Sequence, residues 1–537
     1  MQMTIRSEHE RPGFAVRSEG QITGVTFRQE ALRFGEKQDR APLIDLSTYR
    51  VDVQRGSAVL SIGHLGYGSL RHLVNGFSSR GVALKYGEGK RLSFQLALLN
   101  GSSIAGWDNF FGLGQDKHRI LGGTVGAELI PSRPGGLRVE TTLFSGSLLP
   151  LSGFNQGSVQ TAEESNGGGL RLQATSKNQR FTVDAGITGS RFNEALDEEV
   201  ESGLAVTPIP SRTRRAQYAD ASFVLLQNRT LGKRKTATNL ALSVRHERIE
   251  PLFRSVGVSL QADLQSDTVD LTWGIGPFAT QLSHTRTQDN LAGIETILTT
   301  KTQRNALTVG APLATVFGAA EKTAKYFPIF ALQLDQTHQK GSGLPPNSDF
   351  EPANLPDQIS LNGGASLAWQ VGIFQIGYRI GKTLQDNRQI GRERADFDTS
   401  TNAVTIGFAP GQRLNVSFDV SREENGSEED GKRDRTNRFG TNVSWTLFGQ
   451  TALAGNISQT LGNNNLGTSN QRGTDGFLEL ASGFKVPLGA QKRQGRAFVR
   501  FADQRARSKD LVFGTSSDRQ GATVTSGVTF SLFKGEK

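Results

Sequence analysis

The sequence offers few residues that could carry out catalysis. It contains no cysteine, which excludes disulfides, thiolate metal sites and cysteine nucleophiles. Its seven histidines are widely scattered. Neither the HExxH pattern of zinc proteases nor the Gly-x-Ser-x-Gly turn of serine hydrolases occurs, and the sequence has no phosphate-binding glycine loop. We therefore predict that the protein is not an enzyme and that it uses no cofactor.

Two polar runs could instead bind a small ligand. Residues 421–437 read SREENGSEEDGKRDRTN, and carboxylates at this density could hold Ca²⁺ through oxygen ligands. Their spacing does not match an EF-hand loop, so we interpret the run as a solvated external loop and predict no metal site. Residues 463–476, NNNLGTSNQRGTDG, could hydrogen-bond sugars. Because Asn/Gly-rich loops are common, we interpret this run as an external loop too.

The most regular pattern in the chain is an alternation of apolar and polar residues. Residues 413–421, RLNVSFDVS, alternate one by one, and so do residues 358–371. Successive side chains of a strand point to opposite faces, so each such segment has one apolar and one polar face. We count about 22–24 segments of this kind, each near the ~9–11 residues that cross a tilted barrel wall.

The connections between these segments alternate between short and long. A soluble sandwich has no reason to alternate loop length so strictly, whereas outer-membrane barrels have short periplasmic turns, long external loops and an even strand number. We therefore predict an all-β fold, a single large antiparallel transmembrane β-barrel of about 22–24 strands. The connection at residues 502–520 is expected to be a long external loop, which places the end of the last strand in the periplasm.

Composition allows this interpretation. The 537 residues are 36% hydrophobic, and no stretch approaches ~18 consecutive apolar residues, which excludes a transmembrane helix but not spanning strands. The net charge of +10 is attributed to solvated loops. Binding of nucleic acid would need basic residues clustered with aromatic ones, or a known module; neither is present, so we predict no nucleic-acid partner.

The C-terminal segment, GATVTSGVTFSLF at residues 521–533, carries a resemblance to a known class. It is similar to the terminal targeting strand of bacterial outer-membrane β-barrels, although here residues 534–537 follow it. The resemblance implies a bacterial outer-membrane location, contact with outer-membrane lipid, and recognition by the barrel-insertion machinery. The residues implied in this signal are Gly527, Phe530, Leu532 and Phe533.

A second resemblance lies in the middle of the chain. Residues 246–257 and 288–313 are similar to a sequence shared by large uncharacterised outer-membrane barrel proteins. In those proteins an Arg–Val–Asp–Pro–aromatic–x–Ser–Leu–Gly run closes a strand, and an Asp–Asn–Leu loop leads to Thr–Thr–x–Arg. It implies the same architecture and no particular activity. The matching residues are Arg248, Ile249, Glu250, Pro251, Phe253, Ser255, Gly257, Asp289, Asn290, Leu291 and Thr300, with the arginine delayed to Arg304.

These features divide the chain into three parts. Residues 1–20 are expected to be a polar N-terminal segment, residues 21–533 the barrel, and residues 534–537 a short tail. The first 14 residues, MQMTIRSEHERPGF, contain no apolar stretch typical of a signal peptide. An outer-membrane location therefore assumes a mature chain or a piece of a longer one.

Charged residues on the polar strand faces suggest what the barrel does. An Arg or Lys that faces lipid at the bilayer midplane costs about 2–4 kcal/mol, so these residues must face an interior that is wet or plugged. The N-terminal segment is too short for a folded plug. The interior is then an aqueous path, narrowed by loops such as residues 341–358, or plugged by a periplasmic partner. The candidate lining residues are Asp270, Arg379, Arg413, Asp419, Arg496 and Arg500.

The favoured function is an outer-membrane channel, either a passive diffusion pore or the pore of an export or assembly system. The basic excess favours anions. One alternative is an outer-membrane scaffold or adhesin that binds through its long loops, and a second is a soluble all-β surface protein. Detergent dependence separates the soluble alternative from the others, and conductance in a bilayer separates the channel from the scaffold.

Overall fold

The structure is a computed structural model that describes the chain except residues 1, 103–104, 116, 150–161, 195–210, 232–235, 345, 347–350, 352–354, 489–490 and 531–537. Its 25 strands form one sheet in which each strand pairs antiparallel with the next along the sequence. The all-β prediction is confirmed, and the strand number lies slightly above the expected range. The strands are β1 (Gln2–Arg11), β2 (Phe14–Gly24), β3 (Ile44–Arg55), β4 (Ala58–Tyr67), β5 (Phe77–Tyr86), β6 (Leu92–Asn100), β7 (Arg119–Glu128), β8 (Leu137–Leu148), β9 (Glu163–Thr175), β10 (Phe181–Asn193), β11 (Thr213–Leu231), β12 (Thr236–Ile249), β13 (Leu264–Ile275), β14 (Phe278–Gln288), β15 (Thr299–Pro312), β16 (Ile329–Ser342), β17 (Asp357–Val371), β18 (Phe374–Asn387), β19 (Phe397–Gly411), β20 (Leu414–Ser427), β21 (Arg433–Phe448), β22 (Thr451–Asn464), β23 (Ser469–Leu488), β24 (Gln491–Asp510) and β25 (Thr515–Phe530).

Alternation and tight turns explain why these segments become strands. In the β17–β18 hairpin, Trp369 lies opposite Ile376 and Leu367 opposite Tyr378, so apolar side chains meet across one face. Such cross-strand pairs stabilise a sheet. The turn between the two strands needs a positive φ, which Gly372 supplies at +60° without the steric cost that a side chain would bring.

The two ends of the sheet differ in their connections. At one end, which we call the short-turn end, β1–β2, β3–β4, β13–β14, β17–β18, β19–β20 and β21–β22 are joined by two-residue turns. The longest connection there joins β15 to β16 and contains short helices at Leu313–Val316 and Glu321–Ala324. The opposite end, the long-loop end, carries most long connections. Between β2 and β3 the connection contains a helical turn at Phe34–Lys37 and 3-10 turns at Arg28–Glu30 and Gln38–Arg40.

Three segments interpreted as external loops are mainly strand. Residues 421–437, 463–476 and 502–520 run through β20–β21, β22–β23 and β24–β25, and only 428–432, 465–468 and 511–514 lie between the strands. The expectation of long loops here was wrong. The ladders continue past the apolar part of each strand because backbone hydrogen bonds and ion pairs replace apolar contacts, as Arg435 with Glu424 at 2.7 Å shows.

The N-terminal residues also belong to the sheet. Residues 1–20, which the sequence analysis placed outside the barrel, contain β1 and most of β2. Their charges alternate with polar rather than apolar residues, which hides the strand pattern. Cross-strand ion pairs hold this hairpin: Arg6 with Glu19 at 2.7 Å, and Arg17 with both Glu8 at 2.6 Å and Glu10 at 2.7 Å.

The first and last strands approach each other without pairing. Cα atoms of β1 and β25 come within 8 Å, but no ladder joins these strands among the described residues. Paired neighbours lie about 4.7–4.9 Å apart. The fold is therefore one continuous antiparallel sheet whose closure into a barrel stays a prediction.

The buried residues concentrate in the N-terminal half. One apolar cluster joins β4–β8 to the 68–76 connection, and its centre is formed by Leu70, Leu73, Val74, Leu99 and Ile120, each with no exposed surface. A smaller cluster surrounds Phe253 in the 250–263 connection. Every large side chain that is fully buried in the described chain lies between Tyr67 and Phe253. The second half of the sheet has no comparable cluster among the described residues.

Candidate functional site

The two faces of the sheet differ in chemistry. On one face large apolar side chains are exposed, among them Leu282 (45%), Phe418 (50%) and Leu478 (52%). They form direct cross-strand neighbours over many strands, from the row Leu282–Leu307–Leu334 in β14–β16 to Phe501 opposite Val524 in β24–β25. We call this the apolar face and the opposite side the polar face.

Two of the candidate lining residues are carboxylates on the polar face. Asp270 alternates with exposed Val269, and its nearest cation is Arg245, whose Nη2 lies 3.6 Å away. Asp419 alternates with exposed Phe418 and Val420 and accepts a hydrogen bond of 2.7 Å from Thr405. Each carboxylate therefore has a polar partner on its own face of the sheet.

Three of the cationic candidates lie in strands and one lies in a turn. Arg496 forms an ion pair of 2.6 Å with Glu479, and the guanidinium of Arg500 lies 4.1 Å over the ring of Phe477. Arg379 lies in β18 on the polar face and is exposed. Arg413 instead lies in the turn between β19 and β20, so its assignment to the wall was wrong. The sequence pattern continues one residue beyond the point where the ladder ends.

The implied insertion signal lies at the end of β25. Gly527 faces Phe498 of β24, and a Cβ at this position would come within 2.6 Å of the phenyl ring. Gly527 thus leaves room for an aromatic side chain on the polar face. The backbone of Phe530 pairs with Gly495. Leu532 and Phe533 lie outside the described residues.

In the N-terminal half the polar face carries a connected charge network. Arg138 of β8 donates to Glu140 at 2.8 Å and to Glu128 of β7 at 3.2 Å. Arg171 of β9 continues the network to Asp184 of β10. The Tyr218 hydroxyl of β11 also donates to Asp184, at 3.0 Å. Charges on a shared face are thus neutralised locally, as partly buried charges require.

The 68–76 connection folds onto this network. Arg71 pairs with Asp220 of β11 and lies 4.0 Å over the Tyr218 ring. His72, which is fully buried, contacts Glu247 of β12 through Nε2 at 2.6 Å. A connection between β4 and β5 therefore reaches strands that follow it by more than a hundred residues. We call residues 68–76 the inner loop.

The 250–263 connection closes over the inner loop. The Ser255 hydroxyl donates to the Leu73 carbonyl at 2.6 Å, and Val74 forms an isolated bridge with Gly257. Arg254 of the same connection pairs with Glu194 at 2.9 Å. Residues 246–257, which carry the second resemblance, thus include the segment that clamps the inner loop against the sheet.

A second group of polar contacts ties two other connections together at the long-loop end of β3–β6. Buried Arg33 pairs with Asp45 at 2.5 Å and with Asp108 at 2.7 Å. Hydrogen bonds from Lys37 and Arg33 lower the pKa of Asp108 to about 2. Phe110 stacks on Tyr49 with a centroid separation of 4.2 Å. These contacts order residues 25–43 and the described part of 101–118.

The described residues carry neither a cluster of metal ligands nor a membrane-spanning helix. Over the part of the chain that is described, no three His, Asp or Glu side chains are placed to hold a metal ion. None of the described helices is long and apolar enough to cross a bilayer. The sequence matches no known protein-family model, and it matches none of the curated proteins.

Sequence reasoning found the polar face but not the inner loop. The strand alternation identified Asp270, Asp419, Arg496 and Arg500, because each lies between apolar neighbours. Arg71 and His72 lie in a connection with no periodicity, and their partners Asp220 and Glu247 are far away in sequence. The one local signal was the composition of residues 68–76, GSLRHLVNG, where apolar residues occur in a segment too short for a strand.

Proposed function

We propose that the protein is a β-barrel channel of the bacterial outer membrane, and that solutes pass along the polar face. The observation that carries this proposal is the exposed apolar face. Contiguous apolar patches of this extent are rare on soluble monomers and are typical of surfaces that meet a membrane or a partner. The face spans neighbouring strands from β4 to β25, as expected of a wall that contacts lipid all around.

The polar face supports a water-filled path rather than a solid core. Arg379 and Arg500 are exposed on strands of the second half, where charges lacking a carboxylate must meet water. In the first half the inner loop and the 250–263 connection cover the same face. The proposed path therefore runs beside β13–β25 and is narrowed on the side of β4–β12.

Partners follow from this proposal. Outer-membrane lipid contacts the apolar face, and the barrel-insertion machinery recognises the C-terminal strand. A periplasmic chain that plugs the interior is compatible with the width that so many strands would enclose.

Bilayer conductance tests the channel. The purified chain should conduct ions in a planar bilayer, and Arg379→Gln should shift the reversal potential toward cation selectivity, because charges along a pore set its ion preference. Arg413→Gln is the matched control: it removes the same charge from a turn and should leave selectivity nearly unchanged.

Three outcomes decide between the alternatives. A chain that inserts into vesicles but never conducts would favour the scaffold or adhesin function. A chain that stays monodisperse without detergent would exclude the membrane proposal and favour a soluble surface protein. Equal shifts in both arginine variants would mean that selectivity arises from general charge and not from the polar face.

A further inference from the structure

Three strands of the apolar face present an ordered series of side chains at the long-loop end. Leu282, Leu307 and Leu334 form one row across β14–β16. The next row toward the long-loop end is His284, Asn305 and Gln336. Beyond it the strands continue with two charged or polar rows, Arg286–Gln303–His338 and Gln288–Lys301–Lys340.

The rows line two adjoining grooves. The lower groove, about 490 Å³, is lined by apolar residues of β13–β17 together with His284, Asn305, Gln336, Ser283 and Asp335. The upper groove has a similar volume of about 490 Å³ and is lined by Arg286, Lys301, His338 and Lys340, with Gln265, Asp267, Gln288 and Gln303. Residues two apart in a strand are separated by about 7 Å, so the chemistry changes from apolar to amide to cationic over a short distance.

The cations of the upper groove are incompletely neutralised. Lys340 is 3.6 Å from Asp357, which is also bound by His338 at 2.8 Å, and Asp267 is paired with His246 at 2.7 Å. Arg286 and Lys301 have neither an ion pair nor a side-chain hydrogen bond among the described residues. The groove therefore has spare positive charge and spare donors.

A nearby region of the same face shows the opposite arrangement. At the long-loop end of β20–β21, Arg422 and Arg435 both donate to Glu424, with the Arg435 contact at 2.7 Å. There a carboxylate of the chain satisfies the cations. In the β14–β16 groove Asp267 is the cross-strand neighbour of Arg286, but it pairs with His246, and among the described residues no carboxylate forms an ion pair with Arg286 or Lys301. Of the two regions, only this one adjoins the apolar groove described above.

We infer that this groove binds an anionic membrane lipid through its phosphate group. The phosphate would accept from Arg286 and Lys301, since cationic side chains form strong charge-assisted hydrogen bonds with phosphate oxygens. The ester carbonyls would reach the row of His284, Asn305 and Gln336, and the acyl chains would lie against Leu282, Leu307 and Leu334. This inference rests on the proposed function, because it requires the apolar face to contact lipid.

Native mass spectrometry of the full chain tests this site. The protein is released from micelles containing equal amounts of phosphatidylglycerol and phosphatidylcholine, and bound lipids are counted. The wild type should retain phosphatidylglycerol preferentially. The double variant Arg286→Gln, Lys301→Gln should bind it about tenfold more weakly or worse, because hydrogen bonds to a charged group are lost.

The matched control is Arg422→Gln, Arg435→Gln, which removes the same charge from the same face and end. It should retain the wild-type preference. Asn305→Leu leaves the charges intact. It should weaken the retention of lipid without weakening the binding of inorganic phosphate. Folding of each variant is checked by the change in gel mobility on boiling, and Lys301→Gln alone replaces the double variant if that one fails to fold.

The outcomes separate the two proposals. Equal retention of the two lipids by a vesicle-inserted wild type, or an equal loss in groove and control variants, would overturn the lipid site while leaving the channel intact. Displacement of phosphatidylglycerol by millimolar inorganic phosphate, with no effect of Asn305→Leu, would replace it with a free-anion site. Failure of the wild type to insert into vesicles would overturn the proposed function itself.

Discussion

Phe418 and Ser417 are neighbours in β20 that face opposite sides of the sheet. Phe418 is half exposed between Val416 and Val420 and pairs with Ile406 and Thr441. Ser417 lies on the polar face and accepts a hydrogen bond of 3.3 Å from Asn442. The two positions are therefore adjacent in the same strand and lie at nearly the same depth. The proposed function places Phe418 against lipid and Ser417 toward the polar interior.

Arginine at these two positions should have unequal effects. Phe418→Arg places a cation against lipid and should destabilise the inserted protein by about 2–4 kcal/mol if the position is near midplane. Ser417→Arg faces the polar interior and should change stability far less. Urea titration of vesicle-inserted protein measures both. Equal losses of stability would refute the assignment of the faces.

The face on which a residue lies was predictable wherever the residue follows the alternation of its strand. The sequence alone placed Asp270 and Asp419 opposite the apolar residues, since alternation fixes the face. It could not predict their partners, Arg245 and Thr405, because the register between two strands cannot be determined from the alternation within either strand. Arg413 shows the limit of parity: a residue can continue the alternation and still lie in a turn.

At the scale of elements, the inner loop is the feature that covers the polar face most closely. Its residues Leu70, Leu73 and Val74 are fully buried, while Arg71 and His72 reach Asp220 and Glu247. A segment of this length could not bury itself without apolar partners from β4–β8 and polar partners from β11, β12 and the 250–263 connection. Its position therefore depends on a few polar contacts as well as on apolar packing.

Removing those polar contacts should loosen the inner loop. In Arg71→Gln, His72→Gln, hydrogen exchange of residues 68–76 should accelerate by roughly tenfold or more, because two partly buried carboxylates lose their partners. Conductance should rise if the loop narrows the path. Arg50→Gln is the control, since it breaks an exposed pair with Asp52 on β3. Unchanged exchange would show that apolar packing alone holds the loop.

The elements that sequence reasoning misjudged are the polar ones. Alternation identified the apolar part of each strand, as in β17–β18, but it ends where strands extend into polar residues. The long-loop end of the β23–β24 ladder, where residues 469–474 pair with residues 505–510, is an example: neither face is strongly apolar there, and backbone pairing continues regardless. The loop at residues 341–358 was expected to fill the interior, and eight of its residues (345, 347–350 and 352–354) lie outside the described residues. The inner loop is the segment shown to cover the polar face.

For the whole molecule, the decisive question is how the sheet ends meet. With 25 consecutive antiparallel strands, β1 and β25 run in the same direction, from the long-loop end to the short-turn end. Barrels with an odd strand number close through a parallel pair, as the 19-stranded mitochondrial channel shows. Unpaired edges are otherwise prone to aggregate, and both edge strands here are largely exposed.

We expect β1 and β25 to pair in the membrane in parallel. The chain has no native cysteine, so introduced thiols report cleanly. Ile5→Cys should crosslink through a short bis-thiol reagent with one of Ala522→Cys, Val524→Cys or Ser526→Cys, which lie on the same face of β25, because neighbouring strands are only about 4.7–4.9 Å apart. Ile5→Cys with Val269→Cys, a distant position on the apolar face, is the control and should not react. Crosslinking in vesicles but not in detergent would show that lipid drives closure of the sheet. If none of the three positions crosslinks, the sheet is open, and the enclosed path that the channel requires does not exist.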